Sequence, residues 1–174
     1  SNALNAAAVW QVASVVAAQK HLADISEKLD GIVTTLNRTE NKLDAQRRAA
    51  LMGAMSTLKE VAKPILEGEH TPQNRQTLED QYQKMMDKKY EIQLVLKDRI
   101  NALPDLQDTQ MMGAAEFPEK IKAEMTAIES LFQEWLLCSR VRYQAWSLLT
   151  ALPGEPHLKQ ERYRGIGQDF ESGF

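Results

Sequence analysis

Leucines recur at every seventh position in the first part of the chain, at Leu22, Leu29, Leu36 and Leu43. Ile25 and Ile32 each follow a leucine by three residues, so these side chains share one face of a helix. The spacing is typical of a coiled-coil seam. Gly31 and Gly53 do not interrupt the apolar phase, and Pro64 and Gly68 end it. The pattern therefore predicts one very long helix over about residues 5–67.

The phase of this seam slips by one residue after Leu43. The later apolar positions are Leu51, Leu58 and Ile65, and polar Thr39 and Gln46 weaken the seam before them. A single seam has to drift around the helix at such a slip. We interpret the slip as a change of packing partner along one continuous helix.

Two shorter helices are predicted after the first one. Thr71 can cap a helix that begins at Pro72 and ends before Pro104, which gives a helix over about residues 71–103. The third helix, over about residues 118–152, is apolar around most of its circumference and is expected to be the most central. The apolar positions of its first half are Ile121, Met125, Ile128, Phe132 and Trp135.

These elements define the predicted fold class and the domain limits. We expect an all-α protein, an elongated antiparallel helical bundle of coiled-coil type, as a single domain over residues 4–152. Residues 153–174 contain four glycines and no sustained period, so they are expected to form an irregular tail. Residues 1–3, Ser-Asn-Ala, resemble the remnant of an expression tag and are excluded, and the chain from Leu4 is expected to be a fragment.

The predicted lengths leave part of the first helix without a partner. It would extend about 90 Å, against about 50 Å for each of the others, which can then cover only its C-terminal half. An exposed apolar stripe of that length would exceed what monomers tolerate. We therefore predict a homo-oligomer or a protein partner on this stripe. The predicted interface residues are Trp10, Val15, Leu22, Ile25, Leu29, Ile32 and Leu36.

Composition limits the classes of partner. The formal net charge of −3 provides no basic excess for nucleic acid, and none is expected. Arg140, Arg142, Arg162 and Arg164 lie near Tyr143, Trp146 and Tyr163, residue types that can stack on single-stranded nucleic acid, but interleaved acids dilute their field. The single cysteine fits a cytoplasmic protein.

No motif indicates catalysis or a cofactor. Glu67 and His70 match one Glu-x-x-His pair, but a second copy is missing and Gly68 lies inside the motif. Cys138 falls on the core side of a helix and is expected to be a buried, inert thiol. Gly165 and Gly167 lack the strand and helix of a phosphate loop. We expect no enzyme activity, no metal, no cofactor and no small-molecule substrate.

The sequence thus favours a non-enzymatic helical scaffold or protein-interaction module that associates with itself through its first helix. The alternative is a fragment of a membrane-active helical protein, of pore-forming or effector type. In that alternative, the apolar run over residues 6–18 belongs to an insertion element. This run lacks the lysines or arginines of an interfacial helix, so membrane contact is the less favoured prediction.

Overall fold

The computed structural model describes residue 20 and residues 23–38, 44–104 and 116–171. Within these ranges the chain forms helices joined by turns and contains no β-strand. We label the helical residues 23–38 α1, and the following helices are α2 (Ala45–Leu66), α3 (Pro72–Ala102), α4 (Glu116–Ala151) and α5 (Pro156–Glu171). The prediction of an all-α protein is confirmed.

The prediction of one continuous helix over residues 5–67 is wrong. Asp44 lies outside the helical region of backbone conformation, with φ −59° and ψ 130°, and caps a new helix. Its carboxylate accepts hydrogen bonds from the backbone N–H groups of Gln46 and Arg47, each at 3.0 Å. The hydrogen bond from Arg47 is the main reason that the pKa of Asp44 is lowered. The longest helix in the described part of the chain is instead α4, with 36 residues.

The physical reason for the break is that α1 folds back along α2. Lys59 of α2 pairs with Asp30 of α1, and Arg48 donates a hydrogen bond of 3.4 Å to the side-chain oxygen of Asn37. Residue numbers therefore rise along α1 as they fall along α2, which makes the two helices antiparallel. This arrangement buries Leu29 and Leu36 within the chain, whereas one extended helix would leave them exposed to water.

The turn between α2 and α3 is formed by the residues that the sequence predicted to end one helix and start the next. Gly68 has a φ of 100°, a left-handed conformation that costs glycine little. The Thr71 hydroxyl accepts a 3.0 Å hydrogen bond from the backbone N–H of Asn74, and Pro72 is the first residue of α3. The predicted cap and the predicted start of this helix are confirmed.

Helices α3 and α4 form the most extensive antiparallel pair. Arg99 lies 2.8 Å from Glu124 near one end of the pair, and the ammonium of Lys89 lies 5.8 Å from the Trp135 ring centre further along. Helix α4 also packs against α2 and α5, so it is the central helix of the bundle. The core positions from α1 to α3 include Ile25, Leu29, Ile32, Leu36, Leu51, Leu58, Ile65, Leu78, Met85, Ile92 and Leu96.

The predicted irregular tail contains a helix. Helix α5 begins at Pro156, directly after Gly154 and Glu155, whose φ angles of 86° and 56° reverse the chain. The guanidinium of Arg162 on α5 makes two hydrogen bonds to the carboxylate of Glu79 on α3, and Ile166 is buried. These tertiary contacts stabilise a helix whose two glycines, Gly165 and Gly167, lower its intrinsic propensity.

None of the helices in the described part of the chain has the length and apolar character that crossing a bilayer requires.

Candidate functional site

Four of the seven predicted interface residues are buried inside the chain itself. Ile25, Leu29, Ile32 and Leu36 belong to the hydrophobic core and are shielded from solvent within a single copy. Their predicted exposure, on which the interface on the first helix depended, is therefore wrong, because α1 packs on α2 instead of projecting beyond it. Trp10, Val15 and Leu22 lie outside the described residues.

The Glu-x-x-His pair does not form a metal site in the structure. Glu67 and His70 are both exposed in the turn between α2 and α3, beyond the last residue of a helix. Among the residues that the structure describes, no group of three or more histidine, cysteine, aspartate or glutamate side chains could hold a metal ion.

Cys138 is buried on the core side of α4, as the sequence indicated. Burial raises the pKa of its thiol to about 12, because removal from water disfavours the charged thiolate, and the nearby carboxylate of Glu134 raises it further. A thiol in this environment is a poor nucleophile at neutral pH.

We expect Cys138 to react with an aromatic disulfide reagent at pH 8 about a thousandfold more slowly than an exposed cysteine. The difference follows from a pKa of about 12 against the ordinary 9.0, which lowers the thiolate fraction to that extent. Absorbance of the released thiol measures the rate. Protein unfolded in guanidinium chloride is the control and should react at the ordinary rate, whereas rapid reaction of the folded protein would contradict the burial.

The basic and aromatic residues near the C-terminus are engaged with each other and with acids. The rings of Tyr143, Trp146 and Tyr163 pack in a row at tilted angles, with successive ring centres 5.5 and 5.1 Å apart. The indole N–H of Trp146 donates a 3.0 Å hydrogen bond to the backbone carbonyl of Lys159, which attaches α5 to α4. Arg162 binds Glu79, and this interaction raises the pKa of the guanidinium. The cluster thus anchors α5 to the bundle.

A second polar cluster attaches the beginning of α2 to α4. Glu134 is buried, and one of its oxygens accepts a 3.3 Å hydrogen bond from the backbone N–H of Asp44. Its other oxygen pairs with the guanidinium of Arg47. Beside this cluster lies a cleft of about 550 Å³, whose lining includes Arg99 and the hydroxyls of Thr126 and Ser130. Both hydroxyls donate hydrogen bonds to backbone carbonyls of α4, so they are already engaged within their own helix.

The exposed apolar side chains are concentrated on α3 and α4. Among the described residues, eight large hydrophobic side chains are exposed, and five of them lie in one stretch of this helix pair. The most exposed of these five are Leu94 at 65%, Met125 at 54% and Tyr90 at 51%. We call this set, Tyr90, Leu94, Ile100, Met125 and Phe132, the apolar face.

Contacts within the structure connect the two helices across the apolar face. The Lys89 ammonium lies 4.8 Å from the Tyr90 ring centre and 5.8 Å from that of Trp135. Trp135 in turn stacks on Phe132, with ring centres 5.9 Å apart. The lysine is almost fully buried, so its charge lies between aromatic rings below the surface, an arrangement that cation–π attraction favours.

Helix α5 covers the same side of α3 and α4 further along the bundle. Its partner Glu79 precedes Tyr90 on α3 by eleven residues, and its partner Trp146 follows Trp135 on α4 by eleven residues. Eleven residues are about three complete helical turns. Tyr90 is thus on the side of α3 that α5 covers further along the helix. Exposed apolar side chains that concentrate on one helix pair mark an interaction site more often than singly scattered ones do.

The comparisons with known proteins provide no further constraint, since no family model matches the chain and neither a curated protein nor a solved structure is significantly similar to it.

Proposed function

We propose that this protein is a non-enzymatic helical module that associates with a second copy of itself through the apolar face. The observation that supports the proposal is the concentration of exposed apolar side chains on one part of α3 and α4. Leu94, with two thirds of its surface in contact with water, is the centre of this set along α3. Removing such side chains from water stabilises an association by about 25 cal/mol per Å².

The charges that border the face support a second copy as its occupant. The face extends over 11 residues of α3 and 8 residues of α4, which corresponds to about 16 Å and 12 Å in length, and two adjacent helices are about 20 Å wide. This area, about 300 Å², is below the roughly 800 Å² that each partner buries in a stable complex, so the expected association is weak. Charges of both signs border the face, with Lys97 beside Leu94 and Glu129 beside Met125, so the surface can pair with a copy of itself.

The test is the oligomeric state of the wild-type protein and of Leu94→Lys. We expect the wild type to dimerise and the variant to be monomeric at the same concentration, because a lysine ammonium in the middle of the interface would lose its hydration. Sedimentation equilibrium over a hundredfold range of concentration measures both. A dissociation constant at least a hundredfold higher for the variant is the expected result.

Met52→Lys is the matched control. Met52 is also an exposed hydrophobic residue of a helix, but it lies on α2, away from the apolar face. This variant should dimerise as the wild type does. A monomeric wild type, or equal loss of association in both variants, would contradict the proposal.

The coiled-coil seam and the membrane-active alternative both depend in part on residues before position 20. These residues lie outside the described ranges, so contact of the N-terminal apolar run with protein or membrane stays a prediction.

A further inference from the structure

We infer that α5 is an exchangeable helix, so that the surface of α3 and α4 which it occupies can bind the α5 of a second copy of this chain. The chain opens at residues 153–155, which we call the hinge, and each copy places its α5 on the bundle of the other. This inference goes beyond the proposed function, since the apolar face takes no part in the exchange. It follows from the backbone of the hinge and from the contacts of α5.

The backbone of the hinge is strained while α5 lies on its own bundle. Glu155 has a φ of 56°, and within the described ranges it is the single non-glycine residue with a positive φ. This conformation crowds a side chain against the backbone. Pro156 follows, and a residue before proline prefers extended backbone. Opening the hinge lets Glu155 become extended, so release of strain favours the open form.

The contacts of α5 are chiefly polar and specific. Arg162 makes two hydrogen bonds to the Glu79 carboxylate, and its guanidinium carbon lies 4.9 Å from the centre of the Tyr82 ring. Among the α5 side chains that the structure describes, Ile166 alone is fully buried. Release of α5 therefore exposes little apolar surface, and an open intermediate is accessible from the folded protein.

A second copy provides an identical site for the released helix. In a reciprocal exchange every contact of α5 forms again between the two chains, and the pair closes about a two-fold axis. An extended hinge spans about 10 Å, which is about the diameter of a helix, so α5 can leave its own site. Short, strained connections of this kind promote exchange.

The short hinge also determines when exchange takes place. Because the hinge holds α5 close to its own site, the effective concentration of this helix there is on the order of millimolar. The wild-type protein therefore keeps α5 on its own bundle in dilute solution. Exchange becomes favourable where copies are crowded, or where a substitution destabilises the closed form.

Reversing the charges of the Arg162–Glu79 pair tests the exchange. In Glu79→Arg alone and in Arg162→Glu alone, like charges meet in the closed form and in an exchanged dimer of identical chains. In a mixture of the two variants, exchange places opposite charges together at both sites. We expect the heterodimer to exceed either homodimer at least about tenfold, because both homodimers retain the repulsion. Native mass spectrometry separates the three dimers.

The chain that carries both substitutions is the matched control. It restores a pair of opposite charges within one copy, so it should remain monomeric. All of these proteins also carry Leu94→Lys, which prevents association through the apolar face, and circular dichroism establishes that each is folded. A monomeric mixture, or dimers in the statistical ratio, would overturn the inference. Neither result decides whether the wild type associates through the apolar face.

Two substitutions in the hinge should change the dissociation constant of this heterodimer in opposite directions. Gly154 has a φ of 86°, which alanine adopts only at a cost, so Gly154→Ala in both chains should tighten the heterodimer at least about tenfold. Glu155→Gly removes the strain and should weaken it by a similar factor. Sedimentation equilibrium measures both constants.

The direction of the Glu155→Gly effect distinguishes strain from a lost contact. The Glu155 carboxylate accepts a 2.9 Å hydrogen bond from Arg75, and this contact holds the hinge closed. Loss of the contact alone would tighten the heterodimer, whereas release of strain weakens it. A weaker heterodimer of Glu155→Gly, together with a tighter one of Gly154→Ala, supports the inference. Changes in the reverse directions would overturn the role of the hinge.

Discussion

Leu29→Ala is expected to lower the free energy of unfolding by about 2–5 kcal/mol. Leu29 is completely buried in the core of a single copy, so the substitution removes packed methyl groups and leaves a cavity that the surrounding helices fill only partly. Unfolding in urea, followed by circular dichroism, measures the loss. Because the contacts are within one chain, the loss should be the same at protein concentrations a hundredfold apart.

Glu27→Ala on the same helix provides the comparison. The Glu27 side chain is exposed, and its removal should change the stability by less than about 0.5 kcal/mol. If Leu29→Ala lowered the stability by as little, α1 would not be part of the folded core. If its effect varied with protein concentration, Leu29 would belong to an interface between copies, as the sequence alone had indicated.

Glu134→Ala should lower the free energy of unfolding by about 3–5 kcal/mol. The Glu134 side chain is 2% exposed, and the substitution leaves the partly buried guanidinium of Arg47 without its carboxylate. The backbone N–H of Asp44 loses its acceptor as well. Both losses occur at the first residues of α2, so amide hydrogen exchange there should accelerate more than exchange at the C-terminal end of this helix.

Two further variants of α4 separate the contribution of the ion pair from that of the hydrogen bond and provide a control. Glu134→Gln retains a side-chain oxygen for the Asp44 N–H but loses the ion pair with Arg47, so its destabilisation should be intermediate. Glu119→Ala removes an exposed glutamate of the same helix and should be close to neutral. A loss of less than about 1 kcal/mol in Glu134→Ala would show that the pair does not connect α2 to α4.

The sequence identified the buried residues of the first two helices but not the direction of the chain between them. The seven-residue spacing correctly identified Leu29, Leu36, Leu51 and Leu58 as buried positions, although Leu29 and Leu36 had been assigned to an interface with another chain. The slip in phase after Leu43 was interpreted as a new partner for one helix, whereas the structure has a helix start at Asp44. Residues 39–43 include no proline or glycine, and their intrinsic preferences permit a helix. The break before α2 is decided by the free energy of packing α1 against α2, and the apolar period of a single sequence does not reveal this tertiary contact.

The C-terminal helix and the apolar face were missed for related reasons. The pair Glu155-Pro156 is a possible helix start, but Gly165 and Gly167 obscured the helix that follows. Met125 and Phe132 were assigned to the core because they repeat at helical spacing, yet the side of α4 on which they lie is covered only further along, by α5. Tyr90 and Leu94 lie outside the buried stripe of α3, and their position was the one available signal for this surface.

The central position of α4 has a consequence for the protein during its synthesis. Helices α1, α2 and α3 precede α4 in the chain, and α4 provides a large part of the surface against which α2 and α3 are buried. While the ribosome adds the 36 residues of α4, at about 5–20 residues per second, these earlier helices remain incompletely covered for about 2–7 s. Side chains such as Leu58 and Leu96 are then accessible to chaperones or to neighbouring nascent chains. This interval is when the chain is most exposed to aggregation.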